Sequence, residues 1–380
     1  KFCFFSKKKK KGKLIWFHGA SVGEILSVVP LIQKLEKNKN INQILVTSNT
    51  LSSSKILNNL KLKKTIHQFY PIDHSYFVDK FLKYWSPSLA IFIDSEIWPT
   101  MLTNIKNKSI SLILLNARIN KRSFKKWTKL GLKANTLFSK FDLCLSSSNE
   151  SKKHLDLLGA KNIKYIGNLK FTESETNKDS FEINLRKFFL SKKIWCASST
   201  HKTEEEIAAK VHIKLKKKNK NLLTIIIPRH IDRVSEIKSN LEKLSLKVHV
   251  YSSTNKIAAD TDIYLVDVYG KTKMFFSICN TVFLGGSLIK HGGQNPLEAA
   301  RYGCKILHGP NIWNFYEIYN LLNEIKVSHK VNNVPQITKK IRLVGINSQN
   351  TKIIKSKLNN LSARILRLTL KEIEYFIYKK

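Results

Sequence analysis

Acids, bases and glycines of this chain gather where short apolar runs end, and those junctions are where chemistry is expected. HGASVGE (18–24) follows the run LIWFH and feeds a helical pattern. Glu24 falls on the first turn of that helix, where a carboxylate either complements the helix dipole or takes a proton from a hydroxyl as general base. Ser21 and Gly23 belong to the same small-residue loop, whose unpaired backbone N–H groups favour an anion. FIDSEIWP (92–99) places Asp94 and Glu96 after a buried strand; capping the helix that Pro99 opens explains one acid but not both. LLNARINKRS (114–123) follows another strand with Asn116, Arg118 and Arg122, which face either solvent or an anion. GNLKF (167–171) puts Lys170 at the end of the first half.

In the second half, ASSTHKTEEE (197–206) contains the box Thr203-x-x-Glu206, so Glu204, Glu205 and Glu206 read as capping and dipole residues. Ser199, Thr200 and His201 precede it on the ligand side. IIIPRHIDR (225–233) ends a buried strand in Pro228 and Arg229, and a guanidinium there is a natural phosphate partner. VDVYGKT (266–272) turns at Gly270. FLGGS and HGGQNPLEAARYG (291–303) then hold two Gly-Gly pairs in one strand–loop–helix unit. Asn295 reads as an N-cap and Pro296 as the first helical residue, leaving the backbone at 296–298 (N–H groups on Leu297 and Glu298) for a phosphate and Glu298 for ribose hydroxyls. Helix capping accounts for Asn295 and Pro296. It leaves both glycine pairs unexplained, which favours a ligand approached closely by backbone.

The elements that must position these residues are legible as apolar runs. Strands are expected at 14–18, 43–48, 89–94, 111–116, 143–147 and 163–167, then at 194–199, 222–228, 248–252, 263–267, 281–285 and 305–308. Helical stretches between them imply parallel sheets covered on both faces, six strands on either side of the polar segment TESETNKDS (172–180). The expected architecture is α/β, two Rossmann-like domains facing across a cleft, with ligands beyond the carboxyl ends of the strands. Segment 122–141 shows a helical stripe of Trp127, Leu130, Ala134, Leu137, Phe138 and Phe141, backed by Lys125, Lys126, Lys129, Lys133 and Lys140. It reads as one core helix with a solvated basic back, or as a basic surface facing a membrane.

The chain has 67 Lys and Arg against 27 Asp and Glu, a formal charge of +40. Lysine recurs in nearly every polar segment and no nucleic-acid-binding motif appears, which favours a diffuse surface composition in part; an anionic membrane leaflet is a third reading, and charge alone does not decide among the three. The five cysteines lie far apart and lack metal-ligand spacing, as buried reduced thiols would. No run approaches the ~18 apolar residues of a membrane span. The chain starts at Lys1 without methionine and reads as a fragment, any anchor lying upstream.

The ordered series HGASVGE, SEIWP, LLNARINKRS, GNLKF, SSTHKTEEE, IIPRHIDR, DVYGK, FLGGS, HGGQNPLEAA and GPNIWNF resembles the 3-deoxy-D-manno-octulosonic acid (Kdo) transferases of lipopolysaccharide synthesis, from about residue 14 to 320. The resemblance implies an inverting GT-B glycosyltransferase moving Kdo from CMP-Kdo to the lipid A precursor, lipid IVA. It implies no metal or cofactor and a place on the cytoplasmic face of the Gram-negative inner membrane. It assigns residues 1–172 to an acceptor domain, 173–182 to a linker, 183–350 to a CMP-sugar domain and 351–380 to a C-terminal helix packing back on the first domain. The family's base falls on Glu24, and its transition-state residues fall on Glu96 and Lys170. Its CMP contacts fall on Pro228, Arg229, Tyr269, Gly270, Lys271, Asn295, Pro296, Leu297 and Glu298. Ser21, Gly23, Arg118, Ser199, Thr200, His201, Gly286 and Ser287 are further candidate substrate contacts. Three positions depart from the pattern: Gln294 replaces a histidine, Lys271 a glutamate and Asp94 a longer acid. Other readings stay open: a GT-B enzyme with another nucleotide-sugar donor, a basic nucleic-acid-binding protein, or an inactive relative.

Overall fold

The computed structural model describes residues 2, 3, 5, 7–60, 62–172, 181–343 and 349–378. Residues 173–180, most of the expected linker, lie outside the described residues. The chain separates into two compact units, residues 1–174 with 361–380, and residues 175–360.

The strands of the first unit are Leu14–His18 (β1), Gln43–Ser48 (β2), Thr65–Phe69 (β3), Leu89–Ile93 (β4), Ser111–Ala117 (β5), Leu143–Ser146 (β6) and Ile163–Tyr165 (β7). Those of the second are Lys193–Thr200 (β8), Leu222–Pro228 (β9), Val248–Val250 (β10), Ile263–Leu265 (β11), Thr281–Leu284 (β12), Lys305–His308 (β13) and Ser328–Lys330 (β14). Each set forms a seven-stranded sheet, ordered β3-β2-β1-β4-β5-β6-β7 and β10-β11-β9-β8-β12-β13-β14, with parallel pairing throughout. The central strands are wholly buried, which is why they read as unbroken apolar runs.

Expectation and structure part at two edges. β3 (TIHQF) and β14 (SHK) were not expected; both lie at sheet edges, where a strand needs only one neighbour and no continuous apolar run. Sheet count per unit is therefore seven strands, not six.

In both sheets the winding direction reverses beside the first strand, between β1 and β4 and between β8 and β12. Such switch points leave a crevice at the carboxyl ends of the two strands. The loops placed there are HGASVGE and IDSEIWP in the first unit, SSTHKTE and GGSLI in the second. Strand order alone thus brings four of the ten quoted motifs to two crevices.

Segment 122–141 is not one helix. Helices Lys121–Thr128 and Leu132–Phe138 are separated at Gly131, which has φ +51°. Ala134, Leu137, Phe138 and Phe141 enter the core as the stripe predicts, with Trp127 packed at its margin. The break takes Leu130 out of the stripe: Leu130 is 51% and Leu132 86% exposed, and the first helix buries no residue.

The last helix, Gln349–Tyr378, begins in the second unit and ends in the first. Within the first unit, Lys13 Nζ donates to the Ile377 carbonyl, Asn38 donates to Tyr378 at 3.0 Å, and Lys164 pairs with Glu372 at 2.7 Å. No helix among the described residues is long and apolar enough to cross a membrane.

Candidate active site and nucleotide-binding loops

In the first unit, Ser21 caps helix Val22–Leu35 and its hydroxyl donates to Glu24 Oε1 at 2.8 Å, while the Ala20 N–H donates to Oε2 at 2.7 Å. Glu24 is thereby fixed in one rotamer, half-buried. Burial raises its pKa above the ordinary carboxylate value; the Ser21 hydrogen bond opposes this, and the charges of Asp94 and Glu96 add to it. Three carboxylates therefore share one crevice electrostatically.

Neither Asp94 nor Glu96 caps the helix that Pro99 opens. That helix, Pro99–Asn107, takes its cap from a distant loop, the Thr100 and Met101 N–H groups donating to Asp73 at 3.1 and 2.8 Å. Glu96 is left to the crevice. Its Oε2 accepts from Trp98 Nε1 at 2.8 Å and lies 3.2 Å from His18 Nε2. His18 is fully buried, and burial lowers its pKa despite the adjacent carboxylate. Its Nε2 faces Glu96 Oε2, and its Nδ1 lies 3.0 Å from the Thr47 hydroxyl and 3.3 Å from the Thr47 carbonyl oxygen.

Asp94 is 8% exposed, in the left-handed region at φ +56°, and accepts from Asn116 Nδ2 at 2.5 Å. The Asn116 carbonyl oxygen in turn accepts from the Leu169 N–H at 2.9 Å, which ties the GNLK turn to the same network. Lys170 sits in that turn, its N–H held by Asn168 Oδ1 at 2.9 Å. Arg118 is half-buried and donates its backbone N–H to the Asp94 carbonyl at 3.1 Å. The structure thus joins Ser21, Glu24, Asp94, Glu96, Asn116 and the Lys170 turn. Gly23 stays exposed, with open space where a Cβ would stand.

In the second unit the expected Thr203-x-x-Glu206 cap does not form. Thr203 is left-handed at φ +79° and its side chain caps nothing. Glu204 is fully buried instead and accepts four backbone N–H groups: His201 at 3.0 Å, Gly286 at 2.7 Å, Ser287 at 3.2 Å and Leu288 at 3.0 Å. It fills the amide nest that the loop after β12 would otherwise offer an anion. Glu205 is also buried and pairs with Arg233 at 3.1 Å. Both acids stand in the first turn of helix Glu204–Lys216, as a dipole role expects, but are buried anchors rather than caps; the two look alike in sequence.

This corrects two candidate contacts. The N–H groups of Gly286 and Ser287 are already bound by Glu204. The Ser287 hydroxyl is committed to the Leu284 carbonyl at 2.5 Å and the Gly309 N–H at 2.8 Å. The glycine pairs also have largely structural causes. A Cβ on Gly285 would lie 2.4 Å from the Ser199 carbonyl oxygen, and one on Gly292 2.3 Å from the Asn314 amide. Gly286 alone of the first pair borders side chains of the crevice, those of His201, His291 and Gln294.

His201 is 7% exposed, donates Nδ1–H to the Ser199 carbonyl at 3.1 Å, and leaves Nε2 without a partner among the described residues. Its ring lies 4.2 Å from that of His291 and 5.7 Å from that of His230. Burial first, then His291, His230 and Arg229, bring its pKa down to about 4. Arg229 is exposed beyond β9, its N–H on the Thr200 carbonyl at 2.9 Å. Thr200, His201, Pro228, Arg229, Gly286 and Gln294 are thus brought to one crevice.

Helix Leu297–Arg301 starts one residue later than expected: Pro296 is its N-cap position and Asn295 Oδ1 accepts the Leu297 N–H at 3.1 Å. Glu298 lies 3.9 Å from Lys273 at the rim. Tyr269 is 63% exposed, Gly270 has φ +82°, and Lys271 precedes helix Thr272–Phe276. Sequence reasoning missed His18, Asp73, Trp98 and His291, and gave Asn116 no definite role. His18 had a signal, a polar ring at the end of an otherwise apolar strand.

A family model described as 3-Deoxy-D-manno-octulosonic-acid transferase (kdotransferase) matches residues 1–173. A 3-deoxy-D-manno-octulosonic acid transferase of Rickettsia bellii is 36% identical over 300 residues, covering 79% of this chain and 71% of that protein. Its counterpart in Rickettsia felis is also 36% identical over 300 residues, 79% of this chain and 64% of its own. The match thus spans less than two thirds of the Rickettsia felis protein. Among solved structures, a UDP-N-acetylglucosamine 2-epimerase (so named as putative in its description) from Listeria monocytogenes superposes with TM-score 0.62 at 11% identity, covering 97% of this chain and 98% of its own. At that identity the likeness speaks to fold alone, the α/β GT-B type.

Proposed function

The chain belongs to the 3-deoxy-D-manno-octulosonic acid transferase family, and from that premise we propose that it transfers Kdo from CMP-Kdo to the lipid A precursor, lipid IVA. The observation that carries the reading is Glu24: a carboxylate held in one rotamer at a switch-point crevice, with its pKa raised by burial and by two neighbouring acids. A base of raised pKa takes a hydroxyl proton more readily. The acceptor oxygen would attack the anomeric carbon as the bond to the CMP phosphate breaks, inverting configuration. Glu96, steered by His18 and Trp98, would face positive charge developing at that carbon, and Lys170 the substrate carboxylate.

In the second unit Arg229, exposed beside His201, would meet the CMP phosphate. Pro228, Tyr269, Gly270 and Lys271 would flank the nucleotide, and Asn295, Pro296, Leu297 and Glu298 its ribose side. The Leu297 N–H is already spent on Asn295, which leaves Arg229 as the main phosphate partner. A guanidinium offsets phosphate charge without a metal, so no metal is assigned. Anionic membrane lipid is the proposed surface, on the cytoplasmic face of the inner membrane. Lys121, Lys125 and Lys126 on a helix with no buried residue, beside exposed Leu130 and Leu132, support it.

Donor choice tests the reading. CMP-Kdo is expected to support transfer, and EDTA to leave the rate unchanged. Equal use of a UDP-sugar would favour a GT-B enzyme with a different donor, and loss of activity in EDTA would contradict the metal-free mechanism.

A further inference from the structure

The second unit holds a cavity of about 330 Å³ on the sheet edge opposite its nucleotide loops. Lys305 opens β13 and Lys326 stands just ahead of β14, so the cavity sits at the amino ends of these parallel strands. The loops from Gly285 to Asn295 follow the carboxyl end of β12. Lys340, Arg342 and Lys357 are its other cations, and the rest of the lining is His329, two asparagines and two isoleucines, with no carboxylate.

A basic composition alone predicts many lysines at any surface, so the comparison is with lysines elsewhere. Lys106, Lys108 and Lys216 each meet an aspartate, Asp142, Asp79 and Asp262. Among the described residues, none of the five cations of this cavity has a carboxylate partner. Two of them bond to main chain instead: Lys305 Nζ donates to the Lys340 carbonyl at 2.7 Å and Lys357 Nζ to the Ile325 carbonyl at 3.0 Å. Their mutual repulsion is uncompensated. Burial, then Arg342 and Lys340, bring the Lys305 ammonium down to about 8, and His329 is held near 4 by burial, then Lys305, Lys340, His308 and Arg342.

We propose that this cavity is a binding site for a small, multiply charged phosphate-type anion, separate from the donor crevice. Several convergent ammonium groups and one guanidinium suit a phosphate, which spreads charge over oxygens that each accept charge-assisted hydrogen bonds. The site is independent of the transferase reading.

The test measures how fast Lys305 reacts with an amine-selective reagent, in the full chain, as inorganic phosphate or CMP is added, against chloride at equal ionic strength. Phosphate is expected to protect Lys305 saturably and to raise the pH at which it becomes reactive. Arg342→Gln, a change at an exposed side chain, is expected to weaken saturation about tenfold, the scale of one charge-assisted hydrogen bond. Tighter protection by CMP than by inorganic phosphate would assign the anion to a nucleotide. Protection by neither anion beyond that of chloride would overturn the proposal, as would saturation unaffected by Arg342→Gln and Lys340→Gln in variants whose thermal unfolding matches the parent.

Discussion

Glu24→Gln is expected to lower the rate of sugar transfer about 10²–10⁴-fold, the usual contribution of a positioned general base, with fold and donor affinity unchanged. Glutamine can still accept the Ala20 N–H through its carbonyl, so the start of helix Val22–Leu35 is kept while the proton acceptor is lost. The pH profile carries a second signature. Only the carboxylate form is active, so the rate falls as pH drops through the Glu24 pKa. Burial, Asp94 and Glu96 raise that pKa, and the acid limb should therefore lie above the range of an ordinary glutamate. Rates and profiles of parent and variant decide it. A Gln variant with parental rate, or a profile flat through the acid range, would remove Glu24 as base.

Glu204→Gln should act on stability and on the donor site together. Four backbone N–H groups converge on this buried carboxylate, two on each oxygen. An amide replaces one oxygen by an NH2 group that faces two donors. Leaving buried donors unmade costs about 1–3 kcal/mol each, and hydrogen bonds to a charged group are stronger than neutral ones, so a loss of about 2–5 kcal/mol is expected. The loop from Gly286 to Leu288 would loosen beside His201 and His291, so CMP binding should weaken as well. Thermal unfolding and calorimetric titration with CMP measure the two effects. A surface capping residue would lose only about 1 kcal/mol and leave CMP affinity intact; that result would contradict the interior-anchor role.

The contrast between these two glutamates shows how far sequence reaches. The place of Glu24 on the first helical turn was legible because its loop, its N-cap Ser21 and its helix are contiguous, while its role as base rests on the family resemblance. Glu204 was not, since three of its four partners lie more than eighty residues away and its own surroundings imitate a capping box. The same holds for Asp94 and Asn116, joined only when β4 and β5 pair, and for Asp73, which caps a helix begun by a later proline. Central strands announced themselves because parallel strands are buried on both faces. Edge strands β3 and β14, half-covered and polar, carried no such signal. The Gly-Gly pairs were noticed for their density and then explained by backbone packing rather than by ligand approach, which only structure could show. Gly131 was visible throughout, yet an amphipathic stripe running across it concealed the break that exposes Leu130 and Leu132.

The central claim is that this chain moves Kdo, and mass spectrometry of the acceptor tests it most directly. Lipid IVA and CMP-Kdo are incubated with the parent and with Glu24→Gln, and acceptor and CMP are both measured. The acceptor is expected to gain the mass of Kdo, with one CMP released per Kdo added, in the parent and only slowly in the variant. An acceptor of unchanged mass in the presence of bound CMP-Kdo would contradict it, and would mark a non-catalytic relative in which Lys271 and Gln294 replace the residues that the family pattern expects.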